Sequence, residues 1–324
     1  MSRVAVVTRT RDRAFLLERA LRSCAQQQFS DVEHIVVNDG GDPDPVEHAV
    51  GALTKSWQQR VKIVHRAASE GMEAASRAGI EASDSEFIVI HDDDDSWQPD
   101  FLLRTVGYLD ASSNAAERGV ITHSNRIVER VDQQAIHTVT LEPFNAQMGT
   151  VSLAEMLAGN RFPPISFLFQ RQAHDDVGGF DPTFPVLGDW DFNIRFLRRW
   201  DVGVVAEPLA NWHHRAITNS SLDNSTADNA HELQRVAIDN ARVRAALDSD
   251  ESVATAVLGL VGESMERQEQ RLEKLQRDMA VLQAESQTRR RPPLAAAASR
   301  LIGETRDHLS LLRRSRYGNI ADEL

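Results

Sequence analysis

The sequence predicts an α/β fold, a mainly parallel sheet flanked by helices, followed by a helical extension. Three observations carry that expectation. Over residues 1–220, short β-branched apolar runs alternate with stretches of helical periodicity, the pattern of strand–helix–strand units. Two of the apolar runs end directly in acidic, turn-forming clusters. Beyond Asn219 the pattern changes, and apolar residues recur at alternating spacings of three and four, the mark of a long helix.

In chain order, Val4–Val7 is a buried strand, and Phe15–Gln27 is a helix with Leu16, Leu17, Ala20, Leu21 and Cys24 on one stripe. His34–Val37 is a strand ended by Asn38-Asp39-Gly40-Gly41, and Pro45–Leu53 is helical. Val61–Val64 is a third strand and Gly71–Ala82 a helix. Phe87–Ile90 is a fourth strand that runs into His91-Asp92-Asp93-Asp94-Asp95. Strands follow at Val120–His123, Ile136–Leu141, Ile165–Phe169 and Val202–Val205, with helices at Val151–Leu157 and Phe192–Arg199.

The 324 residues are 41% hydrophobic and 26% charged, which is globular rather than disordered composition. No apolar run approaches the ~20 residues of a membrane span. The opening Met1–Arg13 holds only the apolar run Val4–Val7 between arginines, not a secretory leader. The single cysteine, Cys24, forms no internal disulfide and no thiolate metal cluster, so a reducing cytoplasm is the expected compartment. A net charge of −12 argues against nucleic acid as a partner.

The most informative feature is Asp92-Asp93-Asp94-Asp95. Adjacent carboxylates repel unless a cation or water intervenes. At the mouth of a strand they suit a hard divalent ion, Mn²⁺ or Mg²⁺, shared with substrate phosphates. A solvated acidic turn is the alternative. Ligands of open α/β sheets bind outside the carboxyl ends of the strands, so Asp39 and Asp92–Asp95 are expected to face one crevice.

Five segments together resemble the nucleotide-sugar-dependent glycosyltransferases of family 2, which have the GT-A fold. These are Arg9-Thr-Arg-Asp-Arg13 with Leu17–Gln27, Val36-Val-Asn-Asp-Gly-Gly41, Asp92-Asp-Asp-Asp-Ser-Trp-Gln-Pro-Asp100, Gly178-Gly-Phe-Asp181, and Gly188-Asp-Trp-Asp-Phe-Asn-Ile-Arg195. They occur in the family's order over some 200 residues. Arg9 and Arg11 depart from the family's proline and tyrosine, Asn38 from its aspartate, and Gly188 from its glutamate before Asp189.

The resemblance implies roles. Thr10 and Asp39 match the nucleoside pocket and Asp93 the ribose, while Asp92 and Asp94 are the outer carboxylates of the D-x-D motif. Asp94 is the principal metal ligand and Asp95 a supporting residue. His214, in Asn211-Trp-His-His-Arg215, contacts the metal or diphosphate, with His213 as the competing histidine. Arg66 or Arg77 approaches the diphosphate, unless both are solvated. Asp189 matches the catalytic base, with Asp191 as competitor and a helix N-cap as its structural alternative. The implied reaction is inverting transfer from a nucleotide-diphosphate sugar, by default a uridine one, to a hydroxyl of a glycan, lipid-linked or polymer acceptor.

Two rival readings compete with this one. A sugar-phosphate nucleotidylyltransferase needs a Gly-rich phosphate loop, and Thr8–Arg13 has no glycine. A non-catalytic, oligomeric nucleotide-sugar-binding or scaffolding protein is opposed by the intact Asp93, Asp94 and Asp189.

The domain expectation is a catalytic domain over 1–220, a polar linker and connecting helix over 221–250, and a helical region over 251–324. Leu258, Val261, Met265, Gln268, Leu272, Leu275, Met279 and Leu282 form the seam of a coiled coil spanning 254–285, which predicts a homo-dimer or trimer. A single helix packed on the catalytic domain is the alternative. From Arg289 to Arg316, eight arginines face only Glu304 and Asp307. Such a basic amphipathic tail suits peripheral contact with the inner membrane face or an acidic acceptor.

Overall fold

Val4–Thr10 (β1) is buried at every position in the computed structural model, because both faces of the sheet are covered. Val4 and Val6 join one core layer with Cys24, Phe87, Val89 and Phe101. Ala5 and Val7 join the other with Ile35, Val37, Ile88 and Ile90. A strand covered on both faces reads as an unbroken apolar run, which is why Val4–Val7 is legible in sequence. The structure describes residues 2–131 and 135–215, together with Leu272 and Met279.

The elements follow the expected alternation. Ala14–Ala25 (α1) buries Leu16, Leu17, Ala20, Leu21 and Cys24. Val32–Asn38 (β2), Pro43–Gly51 (α2), the short Lys55–Gln58 (α3) and Val61–His65 (β3) come next. Met72–Glu81 (α4) lies against β1, and a Cβ on Gly79 would overlap the Val7 side chain. Phe87–Asp92 (β4), Ser96–Trp97 (β5) and Phe101–Ala111 (α5) lead to the long strand Glu117–Val131 (β6) and to Ile136–Pro143 (β7). Leu153–Ala158 (α6), a 3₁₀ turn at Pro164–Ser166, Phe167–Gln170 (β8), Arg171–Asp176 (α7), Gly188–Leu197 (α8) and Asp201–Arg215 (β9) complete the described chain.

The sheet order is β3-β2-β1-β4-β8-β6-β9-β5, with β7 on β6. Parallel pairing is confined to β3-β2-β1-β4 and to β6-β9. The pairs β4-β8, β6-β8, β6-β7 and β5-β9 are antiparallel. The sheet is therefore mixed rather than mainly parallel: the parallel expectation holds for the first four strands, where helices supply the crossovers. Chain order reverses between β1 and β4, leaving a crevice at their carboxyl ends.

Three local expectations are revised. Ile165 lies in the 3₁₀ turn, and the strand starts at Phe167. The helix α5 was not anticipated, although its buried Phe101, Leu102, Thr105, Val106 and Leu109 have helical spacing. The last strand extends ten residues past Val205, to Arg215, so His213 and His214 sit on a strand and not in a loop.

The chain divides into two compact units, Met1–Ser264 and Met265–Leu324. The linker, most of the coiled-coil seam and the arginine-rich tail lie outside the described residues. Leu272 and Met279, one heptad apart, are helical and 60% and 57% exposed. Among the described residues no helix is long and apolar enough to cross a membrane.

Candidate active site

The crevice at the β1–β4 reversal collects the charged residues. Parallel register sets Arg9 beside Asp92 and Thr10 beside Asn38. Arg9 donates from Nε to Asp92 Oδ1 at 2.8 Å and from Nη1 to Ser76 Oγ at 2.9 Å. Thr10 Oγ1 donates to Asp93 Oδ2 at 2.6 Å, and Arg13 grips the same carboxylate through Nε and Nη2. Burial pushes Asp93 up to about 6, with Arg13 opposing and Asp94 reinforcing. Thr10 and Asp93, predicted to serve nucleoside and ribose, are thus brought together.

Asp94 behaves differently. Burial raises it, but Arg13, Arg215 and Arg19 outweigh burial and hold it below the ordinary carboxylate range. Arg215 donates to Asp94 Oδ2, Arg13 Nη1 lies 3.6 Å away, and Arg19 donates to the Asp94 carbonyl. Asp95 turns inward: its Oδ1 accepts from the His213 amide at 2.8 Å, and burial with Asp94 and Asp92 beside it drives its carboxyl well up. The four aspartates are therefore not a solvated turn. Only Asp92 is appreciably accessible.

Asp39, at the end of β2, closes the neighbouring loop. It accepts from Ser69 Oγ at 2.7 Å, from the amides of Glu70 and Gly71 at 3.3 and 3.1 Å, and from Arg66. Burial opposes its charge, yet these donors outweigh burial and hold the carboxyl low. Arg66 also pairs with Glu70. Arg77 is exposed on α4 and pairs with Glu81, away from the carboxylate run.

On the other side of Arg9 stands α8. Asp189 is in its first turn, and the N-cap is Leu187, with no side-chain cap bond, so Asp189 is not a cap. Leu187 holds φ 61, a left-handed conformation that costs roughly 1–2 kcal/mol in a non-glycine residue, immediately before the candidate base. Asp189 Oδ2 accepts from Asn160 Nδ2 at 2.7 Å, and Asn193 Nδ2 donates to Asn160 Oδ1 at 3.2 Å, which fixes the amide that orients the carboxylate. Burial raises Asp189, with Arg9 opposing. Asp191 is committed elsewhere. Its Oδ2 accepts from Arg195 Nε at 2.7 Å, and Arg195 also donates to the carbonyls of Val177 and Gly179.

The two histidines separate cleanly. His213 has one ring nitrogen on Glu129 Oε1 at 2.6 Å and the other on Ser96 Oγ at 2.9 Å. His214 stacks edge-on to Trp212 at 3.9 Å, and its Nε2 is buried with no hydrogen-bond partner. Burial and the nearby Arg126 push it down to about 4, so it is a neutral imidazole within the field of Asp94.

Sequence reasoning missed Arg9 and Arg215 as site cations, Glu73 as a partner of Arg9, Glu129 as the partner of Arg19 and His213, and Asn160 as the partner of Asp189. Each acts through pairing between distant segments, and no local pattern announces it. Arg9 and Arg13 both lie inside the opening motif, and Arg215 closes the segment that holds the two histidines, so a motif reading could have promoted them, but not their partners.

The family description "Glycosyl transferase family 2" matches residues 4–172, just over half of the chain. The chain is 23% identical over 202 residues to the uncharacterized glycosyltransferase YwdF of Bacillus subtilis (strain 168), covering 62% of this chain and 70% of that protein. It is 28% identical over 185 residues to the uncharacterized glycosyltransferase alr2836 of Nostoc sp., covering 56% and 55%. Among solved structures, S. aureus TarS 1-349 in complex with UDP-GlcNAc is similar, with a TM-score of 0.57 and 15% identity over 80% of this chain and 71% of that one. That likeness speaks for the fold. The β1–β4 crevice, its acidic run, the order of the motifs and the family match agree: the chain belongs to glycosyl transferase family 2.

Proposed function

We propose that this transferase is an inverting, metal-dependent enzyme that moves a sugar from a nucleotide-diphosphate sugar to an acceptor hydroxyl, with Asp189 as general base. The observation that carries the reading is the placement of Arg9. It pairs with Asp92 on the donor side and lies within the field of Asp189 on the other, so the acidic run and the candidate base border one crevice. Asp189 takes the proton of the acceptor hydroxyl as its oxygen bonds to the anomeric carbon. Burial makes the carboxylate more basic, and Asn160 fixes its direction. General-base help of this kind contributes about 10²–10⁴ in rate. Asp191, held by Arg195, is the weaker candidate. Attack from the face opposite the nucleotide inverts the anomeric centre.

On the donor side, Thr10, Asp39 and Asp93 are assigned to the nucleoside, and Arg66 with the arginines around Asp94 to the diphosphate. The uridine nucleotide remains the default. Among the described residues no cluster of three or more His, Cys, Asp or Glu side chains forms a closed metal cage. The orphaned Nε2 of His214, within the field of Asp94, nevertheless fits a hard cation that takes one or two protein ligands and completes its shell with substrate phosphates and water. Asp94 and His214, with Asp92 at the rim, would hold Mn²⁺ or Mg²⁺, which would supply charge neutralisation for the departing diphosphate. Arg13, Arg19 and Arg215 supply positive charge there in their own right.

The same reading extends to a catalytic domain over 1–220, a linker over 221–250, self-association through 254–285, a glycan, lipid-linked or polymer acceptor, and a cytoplasmic site with peripheral membrane contact through the basic tail.

The test is incubation of the purified chain with Mn²⁺ and a panel of nucleotide sugars including UDP-GlcNAc, measuring release of nucleoside diphosphate and the anomeric configuration of any glycoside by NMR. Release dependent on the divalent ion, with inversion, is expected. Retained configuration would overturn the single displacement, and full activity in chelator would overturn the metal assignment.

A further inference from the structure

The first turn of α8 meets the first turn of α4 at a glycine. Gly188 is buried, and a Cβ built on it would lie 2.5 Å from Cδ and 2.7 Å from Oε1 of Glu73. A side chain at 188 and the carboxyl of Glu73 therefore compete for one volume, immediately before Asp189. Glu73 is 2% exposed. Its Oε2 has no hydrogen-bond partner, and Arg9 Nη1 lies 3.6 Å away. That guanidinium already serves Asp92 and Ser76 and lies in the field of Asp189. One arginine thus faces three carboxyl groups drawn from three elements: Asp92 from β4, Glu73 from α4 and Asp189 from α8.

A glutamate is a poor choice for packing alone at this place. A buried acceptor left without a donor costs about 1–3 kcal/mol, and more when charged, so an apolar residue of similar volume would stabilise the fold better. Burial pushes Glu73 up to about 7, with Arg9 opposing and Asp189, Asp92 and Asp191 reinforcing. Buried, perturbed carboxyls of this kind concentrate where chemistry is done.

We infer that Glu73 is a positioning residue of the base site, sharing Arg9 with Asp189 in a seat that Gly188 keeps open. The inference rests on the reading of Asp189 as the base. Arg9 drawn wholly onto Asp189 would form a tight ion pair and make it a weaker base. Glu73 and Asp92 hold the guanidinium between them, so that Asp189 feels its charge without being closed off in a tight ion pair. When the acceptor O–H bond breaks and the proton moves to Asp189, Arg9 loses one carboxylate, and Glu73 remains to compensate it.

The test uses the full chain with UDP-GlcNAc and Mn²⁺, or the most active nucleotide sugar, and four variants. Glu73→Gln keeps the shape and should leave donor KM within about twofold while kcat falls roughly tenfold or more. Gly188→Glu should lower both activity and Tm, because two carboxyls then claim one space. The double variant Glu73→Ala/Gly188→Glu, which presents the carboxyl from α8, should regain Tm and exceed Gly188→Glu in kcat. In a readout independent of turnover, the carboxyl ¹³C resonance of Glu73 should titrate at lower pH in Asp189→Asn than in wild type, by about half a unit or more. Wild-type kcat in Glu73→Gln, or an unmoved Glu73 titration in Asp189→Asn, would overturn the inference. If Asp189→Asn itself keeps full kcat, the base reading fails and takes this one with it. If Asp189→Asn loses kcat while Glu73→Gln does not, only the role of Glu73 is lost.

Discussion

His213 and His214 are neighbours on β9 with opposite chemistry. The first has both ring nitrogens engaged, by Glu129 and Ser96, whereas the second buries an Nε2 that no protein group satisfies. Alternation along a strand sends successive side chains to opposite faces, so His213 braces β6 against β9 on the face that carries Arg215, while His214 turns to the face of Trp212.

The two should therefore fail differently. His214→Ala is expected to stay within about 1 kcal/mol of wild-type stability and to weaken the Mn²⁺ dependence of donor cleavage. His213→Ala strips a partner from the buried Glu129 and should cost about 2–3 kcal/mol. Thermal scans with and without Mn²⁺ read both effects. A His214 variant whose metal titration matches wild type would remove that histidine from the metal site.

The aspartates of α8 should part in the same way. Asp189→Asn is expected to leave donor binding near wild type and to cut kcat by about 10² or more. Asp191→Asn breaks the bond to Arg195 that ties α8 to the 177–179 turn. It should instead cost about 1–2 kcal/mol of stability with a smaller loss of kcat. Steady-state kinetics paired with denaturant unfolding decides, and a larger kcat loss in Asp191→Asn would exchange the two assignments.

The first four strands were legible because both their faces are covered, which turns them into unbroken apolar runs. Asp92–Asp95 was legible because such a run ends in it. The outer half of the sheet was harder. Pro208 interrupts β9 at a register shift opposite Thr122 and His123, and a proline normally argues against a continuing strand. The polar Asn211–Arg215 that follows then reads as a loop. The arginine network was hidden for another reason. Arg9 meets Asp92, Arg215 meets Asp94 and Glu73 meets Gly188 only after folding, across separations no periodicity encodes. The unusual Gly188, visible in the sequence as a departure, has its explanation in Glu73, which fills the space a side chain there would need.

The seam Leu258–Leu282 makes a prediction about assembly. Its residues keep a three-four spacing, and Leu272 and Met279 are helical and exposed in the single chain. Apolar side chains buried between helices contribute on the order of 1–3 kcal/mol each, so self-association is the expected state. Light scattering should give a dimer or trimer for the full chain and a monomer after truncation near Asp250, with donor cleavage retained. A monomeric full chain at micromolar concentration would favour the helix packing on its own catalytic domain.

Acid should expose the buried histidine of β2. His34 is fully enclosed, with Nε2 on Thr8 Oγ1 at 2.8 Å and Nδ1 without a partner. Burial, reinforced by His91, pushes it from the ordinary 6.5 down to about 3. The unfolded chain therefore binds a proton below pH 6.5 that the folded chain refuses until about pH 3. The stability His34 allows at neutral pH is lost progressively as pH falls through that window. Each pH unit costs about 1.4 kcal/mol at full effect, so roughly 2–3 kcal/mol disappears between pH 6.5 and 4.5. Asp93 and Glu73, raised to about 6 and about 7, act in the opposite sense, because their folded forms bind protons more readily than the unfolded chain. The absolute curve thus mixes many shifted groups, and the difference between wild type and His34→Gln isolates one. Glutamine can still bond Thr8 but does not titrate, and any constant loss of packing cancels in the slope. Urea unfolding from pH 7 to 4.5 should show a shallower acid decline in His34→Gln. Parallel curves would mean that this histidine takes up its proton without opening the core.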